Sequence, residues 1–185
     1  MKVYFSYSPR GDHRFALLIY NAIEKLGHKH TSDFVKNIDL NTFYKADEKE
    51  WRKRYLKSIQ GIEKADICIF ESSIPSIASG QLAQLSLNKF KPTILLHRKG
   101  ASPHFSTGLE ETEKRVQILE YNEEDLEEVL KYAFEMTEEY LDTRFTLLFP
   151  RDIVNYLDQI KKDGKSRSEY IRDLIKKDMS SSKTR

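Results

Sequence analysis

A chain of 185 residues, 39% hydrophobic and 32% charged, has room for one medium domain and a small appendage, and its composition is that of a globular protein with a wet surface. No apolar run reaches the roughly 18 residues of a membrane-spanning helix, and Met1-Lys2-Val3-Tyr4-Phe5-Ser6 is too short an apolar opening for a secretory leader. The single cysteine, Cys68, excludes an internal disulfide framework. Set in an apolar run, it reads as a buried, inert thiol in a reducing, cytoplasmic protein.

The net charge is only +2, but it is unevenly spread. Residues 143–185 hold eleven Lys/Arg and six Asp/Glu, a balance of +5, whereas residues 1–142 carry twenty and twenty-three, a balance of −3. A basic tail on an acidic body is suited to a polyanionic partner, and equally to plain solvation of a lysine-rich terminus.

In chain order, Lys2–Ser6 is a β-prone run followed by the polar turn Ser8-Pro9-Arg10-Gly11-Asp12. Phe15, Leu18, Ile19, Ala22, Ile23 and Leu26 recur at helical spacing up to Gly27. Lys29–Phe34 is a weaker strand, and residues 46–64 form a charged helix with Trp51, Tyr55, Leu56, Ile59 and Ile62 on one face. Ala65–Phe70 is apolar throughout after Asp66, as in a strand buried on both faces. A helix over Ser76–Asn88, a strand over Thr93–Leu96, a loop over 97–114, a strand over Val116–Tyr121 and an amphipathic helix over Glu123–Leu141 complete the body. The alternation predicts an α/β fold, a parallel sheet with flanking helices, over residues 1–141. Ligands of such sheets bind outside the carboxyl ends of the strands, which here lead into Tyr7–Asp12 and Glu71–Gly80. Ser8, Arg10, Gly11, Ser76, Ser79 and Gly80 are the candidate anion-binding residues, because backbone amides of a Gly/Ser loop at a helix start favour phosphate.

The pattern changes at Asp142-Thr143. Arg144–Phe149 alternates as a strand, Pro150 suits the first turn of a helix carrying Ile153, Leu157 and Ile160, and Gly164 ends it. Ser166, with Glu169 three residues on, can cap a second helix whose apolar face is Tyr170, Ile171, Leu174 and Ile175. This gives a second domain over 142–179 and a disordered tail over 180–185. One strand and two helices bury too little surface to fold alone. Antiparallel pairing of strand 144–149 with a second copy relieves that shortage, and a two-stranded ribbon fits the DNA major groove. Arg144, Thr146 and Leu148 would face the bases, and the amides around Ser166, Arg167 and Ser168 would hold a phosphate.

This stretch resembles the ribbon-helix-helix repressors through its alternating strand, its Pro-led helix and Gly164-Lys165-Ser166-Arg167-Ser168-Glu169-Tyr170-Ile171-Arg172. Leu148 departs from the polar groove residue of many relatives. The resemblance implies a homodimer on double-stranded DNA.

Residues 2–96 resemble the nucleoside 2-deoxyribosyltransferase family and its nucleotide N-glycosidase relatives. The likeness lies in Val3-Tyr4-Phe5-Ser6-Tyr7-Ser8-Pro9-Arg10-Gly11 and in Ala65–Glu71 followed by Pro75-Ser76-Ile77-Ala78-Ser79-Gly80. Phe5-Ser6-Tyr7-Ser8 with Asp12 is also similar to a TIR domain. Both imply a flavodoxin-like sheet and a pocket for a nucleotide-like ligand. Cleavage of an N-glycosidic bond needs a carboxylate near the anomeric carbon. Leu82 stands where the resemblance places the family's glutamate, and Ser58 where it places the partner aspartate, while the active-site tyrosine is kept as Tyr4. Helix 76–88 contains no acid, so Tyr4 and Glu71 are the remaining catalytic candidates.

The histidines His13, His28, His30, His97 and His104 lack metal-ligand spacing, and no Walker or dinucleotide-binding glycine motif occurs, so neither a metal nor a cofactor is expected. His97 follows a buried strand, which places it either at the pocket wall or, the ordinary place for a histidine, at the surface. The reading is a DNA-binding transcriptional regulator whose body senses a nucleotide-like ligand without catalysis. The alternative is a nucleoside or nucleotide N-glycosidase or deoxyribosyltransferase whose tail drives oligomerisation or localisation on DNA.

Overall fold

A computed structural model describes residues 1–138, 148–162 and 166–182. The chain divides into two compact units, Met1–Thr143 and Arg144–Arg185.

The first unit is built on five parallel strands: β1 (Lys2–Tyr7), β2 (Lys29–His30), β3 (Ile67–Glu71), β4 (Thr93–Arg98) and β5 (Val116–Tyr121). Their spatial order is β2-β1-β3-β4-β5, the flavodoxin-like order expected of the α/β pattern. Between them run α1 (His13–Lys25), the single turn α2 (Phe34–Asn37), α3 (Glu48–Lys64), α4 (Ile77–Asn88), the short α5 (Gly108–Thr112) and α6 (Leu126–Glu138).

Strand alternation sends side chains to two cores. Val3, Phe5, Ile67, Ile69, Ile94 and Leu96 meet Ile19 and Ile23 of α1 and Leu130 and Phe134 of α6. Tyr4, Cys68, Phe70 and Leu95 meet Ile62 of α3 and Ala83 of α4 on the other face. Strand β3 is buried throughout, as its unbroken apolar run requires. Cys68 is free and buried, and burial pushes its thiol up to about 12, the inert behaviour expected of it.

Three expectations need correction. The strand at Lys29–Phe34 is only two residues long, because Ser32 and Asp33 start the turn into α2, with Phe34 N–H donating to Ser32 Oγ at 3.2 Å. The segment 97–114 is not simply a loop: β4 runs on to Arg98, and α5 follows with Leu109 packed against the second core. Residues 180–182 continue a helix rather than belonging to a disordered tail.

The second unit contains α7 (Arg151–Lys162) and α8 (Arg167–Ser182). Leu157 is buried, while Ile153, Tyr156, Leu174, Ile175 and Met179 are exposed. The N–H of Glu169 donates to Ser166 Oγ at 3.2 Å, so Ser166 caps α8 as its position predicts. Of the expected ribbon, residues 144–147 lie outside the described residues. Leu148 and Phe149 are described, belong to no regular element, and Leu148 is 98% exposed. Among the described residues no helix is long and apolar enough to cross a membrane.

Candidate functional site

In this strand order the chain leaves β1 toward β2 and returns to β3 on the other side, so the helices after β1 and β3 diverge and open a crevice above those two strands. The β1 loop turns tightly, with Gly11 N–H donating to the Ser8 carbonyl at 2.8 Å. A Cβ on Gly11 would lie 3.1 Å from that carbonyl oxygen and 3.6 Å from Ile74 Cγ1, so the loops after β1 and β3 touch here and glycine keeps the approach close. Beyond Ile74, Ser76 caps α4 by accepting the Ser79 N–H at 3.3 Å, and a Cβ on Gly80 would meet nothing within 4 Å. Ser8 and Gly11 thus sit on one wall, and Ser76, Ser79 and Gly80 on the first turn of α4. Arg10 is drawn aside, its guanidinium 5.8 Å from the Tyr44 ring centre.

Tyr4 lies beneath this crevice on the α3–α4 face and is 2% exposed. A Cβ on Gly61 would fall 2.7 Å and 2.9 Å from the Tyr4 ring, so only glycine lets α3 pass this close. One turn earlier on α3, Ser58 lies near the Tyr4 phenol, as does Ser6. Burial raises the phenol above its ordinary value, and these two neighbouring hydroxyls oppose the rise. Leu82 of α4 packs against the same core. Ser58 and Leu82, which the resemblance sets in place of two carboxylates, therefore both lie at the Tyr4 core, one near its hydroxyl and the other apolar.

Glu71 is elsewhere. It pairs with Tyr7 in register and faces the α1–α6 side, opposite Tyr4. Its buried carboxylate accepts from the Ser73 backbone at 3.3 Å, from the Ser73 hydroxyl, and from the Tyr121 hydroxyl at 3.3 Å. The two catalytic candidates do not share a site, and Glu71 organises the end of β3. The same carboxylate, after burial, raises the Tyr121 phenol. Above β1, Tyr7 bonds His13 Nδ1 at 2.7 Å and packs on Phe34. Burial, and then the neighbouring Tyr44, push the Tyr7 phenol up to about 12.

Of the two places open to His97, the buried one is found. His97 is 7% exposed and lies on the Tyr4 face of β4, not at the surface. The alternation Thr93, Leu95, His97 carried the signal, and it was lost when the strand was ended at Leu96.

Two clefts lie elsewhere. One of about 520 Å³ separates the end of α4 from α5, lined by Leu87, Phe90, Leu109 and Arg115. One of about 360 Å³ flanks β2, lined by Tyr20, His30, Gly61 and Lys64. Neither includes the loop amides of the switch point. Among the described residues no cluster of three or more His, Cys, Asp or Glu is placed to hold a metal.

Of the residues expected at DNA, Arg144 and Thr146 lie outside the described residues. Arg167 pairs with Asp158 of α7, and Ser166 and Ser168 stand at the start of α8.

No known protein family matches the chain, and no curated protein does. Among solved structures, the chain is similar to the CMP N-glycosidase BcmB of Clostridium botulinum, with a TM-score of 0.50 and 18% identity over 71% of this chain and 99% of that one. At that identity the similarity shows a shared α/β fold.

Proposed function

We propose that the α/β unit binds a nucleotide in the crevice above β1 and β3, and that it does so without cleaving the glycosidic bond. Tyr4 carries the reading. Its phenol lies beside Ser58 and Ser6 rather than beside a carboxylate, on a sheet folded like a CMP N-glycosidase, with no carboxylate on α4 and with Glu71 on the far face. Loop amides and the first turn of α4 supply the phosphate end. Loss of a carboxylate that stabilises an oxocarbenium-like state removes orders of magnitude in rate.

The fold likeness to an N-glycosidase favours the enzymatic alternative over a regulator, so one experiment addresses both binding and cleavage. The protein is titrated with CMP by calorimetry, and the mixture is then assayed for free base by chromatography. Binding without base release is the expected outcome. Base release at an enzymatic rate that survives exhaustive purification would replace the binding reading with the glycosidase one, and no binding would end both.

For the C-terminal unit we propose pairing with a second copy and contact with double-stranded DNA through Arg144, Thr146 and Leu148. The apolar residues exposed on α7 and α8, and the +5 balance of residues 143–185, support this. Fluorescence anisotropy on duplex from the gene's own upstream region, wild type against Arg144→Ala, tests it. The mutant should lose about 1–3 kcal/mol at a preferred site, and equal weak binding by both would leave dimerisation alone.

A further inference from the structure

The strand register carries the face of Tyr4 across the sheet. Tyr4 pairs with Cys68, which pairs with Thr93, and Phe70 pairs with Leu95. Two residues further, His97 stands on the same face, at the carboxyl end of β4. It pairs in register with Glu120 of β5, which shares the face of Ile118 in the α3–α4 core. Neighbouring strands lie about 5 Å apart, so the imidazole and the carboxylate rise side by side at the rim. Glu120 is exposed, whereas His97 is held.

The way His97 is held sets what it can do. Its Nδ1 lies 3.1 Å from the Arg98 carbonyl oxygen. A carbonyl only accepts, so Nδ1 carries the proton, and the tautomer this bond selects leaves Nε2 as the acceptor nitrogen. Nε2 has no partner among the described residues, and it is not among the buried polar atoms left without one. Arg98 N–H donates to Ser73 Oγ at 2.8 Å, which ties down the strand end behind the ring. This stretch of rim therefore offers two acceptors, His97 Nε2 and the Glu120 carboxylate.

We propose that His97 and Glu120 form the donor-recognising end of the nucleotide crevice. The ligand group they take is a hydrogen-bond donor: the exocyclic amine of an amino base, or a sugar hydroxyl. The inference rests on the nucleotide reading and adds an orientation to it. The phosphate lies toward the α4 first turn, and the donor lies one to two strands from β3, where Glu120 would repel a phosphate.

The test is calorimetric titration of the full chain with CMP, UMP and dCMP, for wild type, His97→Asn and Glu120→Gln. Wild type should bind CMP, with His97→Asn weaker by about tenfold, the scale of one hydrogen bond, and Glu120→Gln by about threefold. If the amine is the donor, the preference for CMP over UMP collapses in both variants. If the 2′-hydroxyl is the donor, the preference for CMP over dCMP collapses instead. Wild type that binds none of the three ends the nucleotide reading, and this inference falls with it. Wild type that binds CMP while both variants keep its affinity and preferences overturns this inference alone. Should His97→Asn fail to fold, nitrogen-15 spectra of wild type decide: the His97 Nε2 signal should move as CMP binds, and a signal that stays put with CMP bound overturns the proposal.

Discussion

At the scale of single residues, Gly61 shows how closely the Tyr4 environment is built. An alanine there gains helix propensity of about 1 kcal/mol, but its Cβ would lie within 3 Å of an aromatic ring held between two strands and a helix. The clash wins, because the ring has no exposed side to retreat to. Gly61→Ala should lose about 1–2 kcal/mol of stability in a urea titration and should weaken CMP binding with it. Alkali acts on other residues. Cys68 and Tyr7 have folded values of about 12 against ordinary values of 9.0 and 10.0. Both groups are neutral when protonated and raised in the fold, so their contribution is intact below about pH 9 and drains away as pH climbs toward 12. Chemical denaturation across that range should show a steady fall, with the Cys68→Ser variant falling less steeply.

At the scale of elements, Glu71 ties β3 to β5 through Tyr121 and to its own loop through Ser73. Glu71→Gln should cost about 1–3 kcal/mol by unbalancing a buried hydrogen-bond set, measured by thermal and urea unfolding, with any residual base release unchanged. A catalytic role would reverse that order of effects. The elements themselves were largely legible, because apolar strands, a Ser cap and a Gly stop announce themselves locally. Ser166 capping α8 is readable for that reason. The site was legible only in outline. Sequence spacing places Ser8 and Ser76 at strand ends, but it does not say to which face a side chain turns. Tyr4 and Glu71 are both candidates by sequence, and only the register shows that the sheet stands between them. The face to which His97 turns depends on β4 running two residues past Leu96, and β2 is shorter than its sequence suggests because its Ser-Asp turn is as polar as a solvent-facing strand.

At the scale of the whole molecule, the division into two units predicts separable behaviour. A chain cut after Thr143 should keep a cooperative unfolding transition and its CMP affinity, yet run as a monomer in sedimentation. The full chain should sediment as a dimer if α7 and α8 meet a second copy, and a monomeric full chain would remove the pairing proposal. The strand order has a further consequence, for synthesis. The first strand made is a central one, and its neighbour β3 begins at Ile67. Until the ribosome has released that segment, β1 has only the two residues of β2 to hold on to. An apolar strand left waiting for so distant a partner is open to non-native pairing and aggregation. Slowing translation just before residue 67 should therefore lower the yield of native protein, whereas slowing it after residue 121 should not.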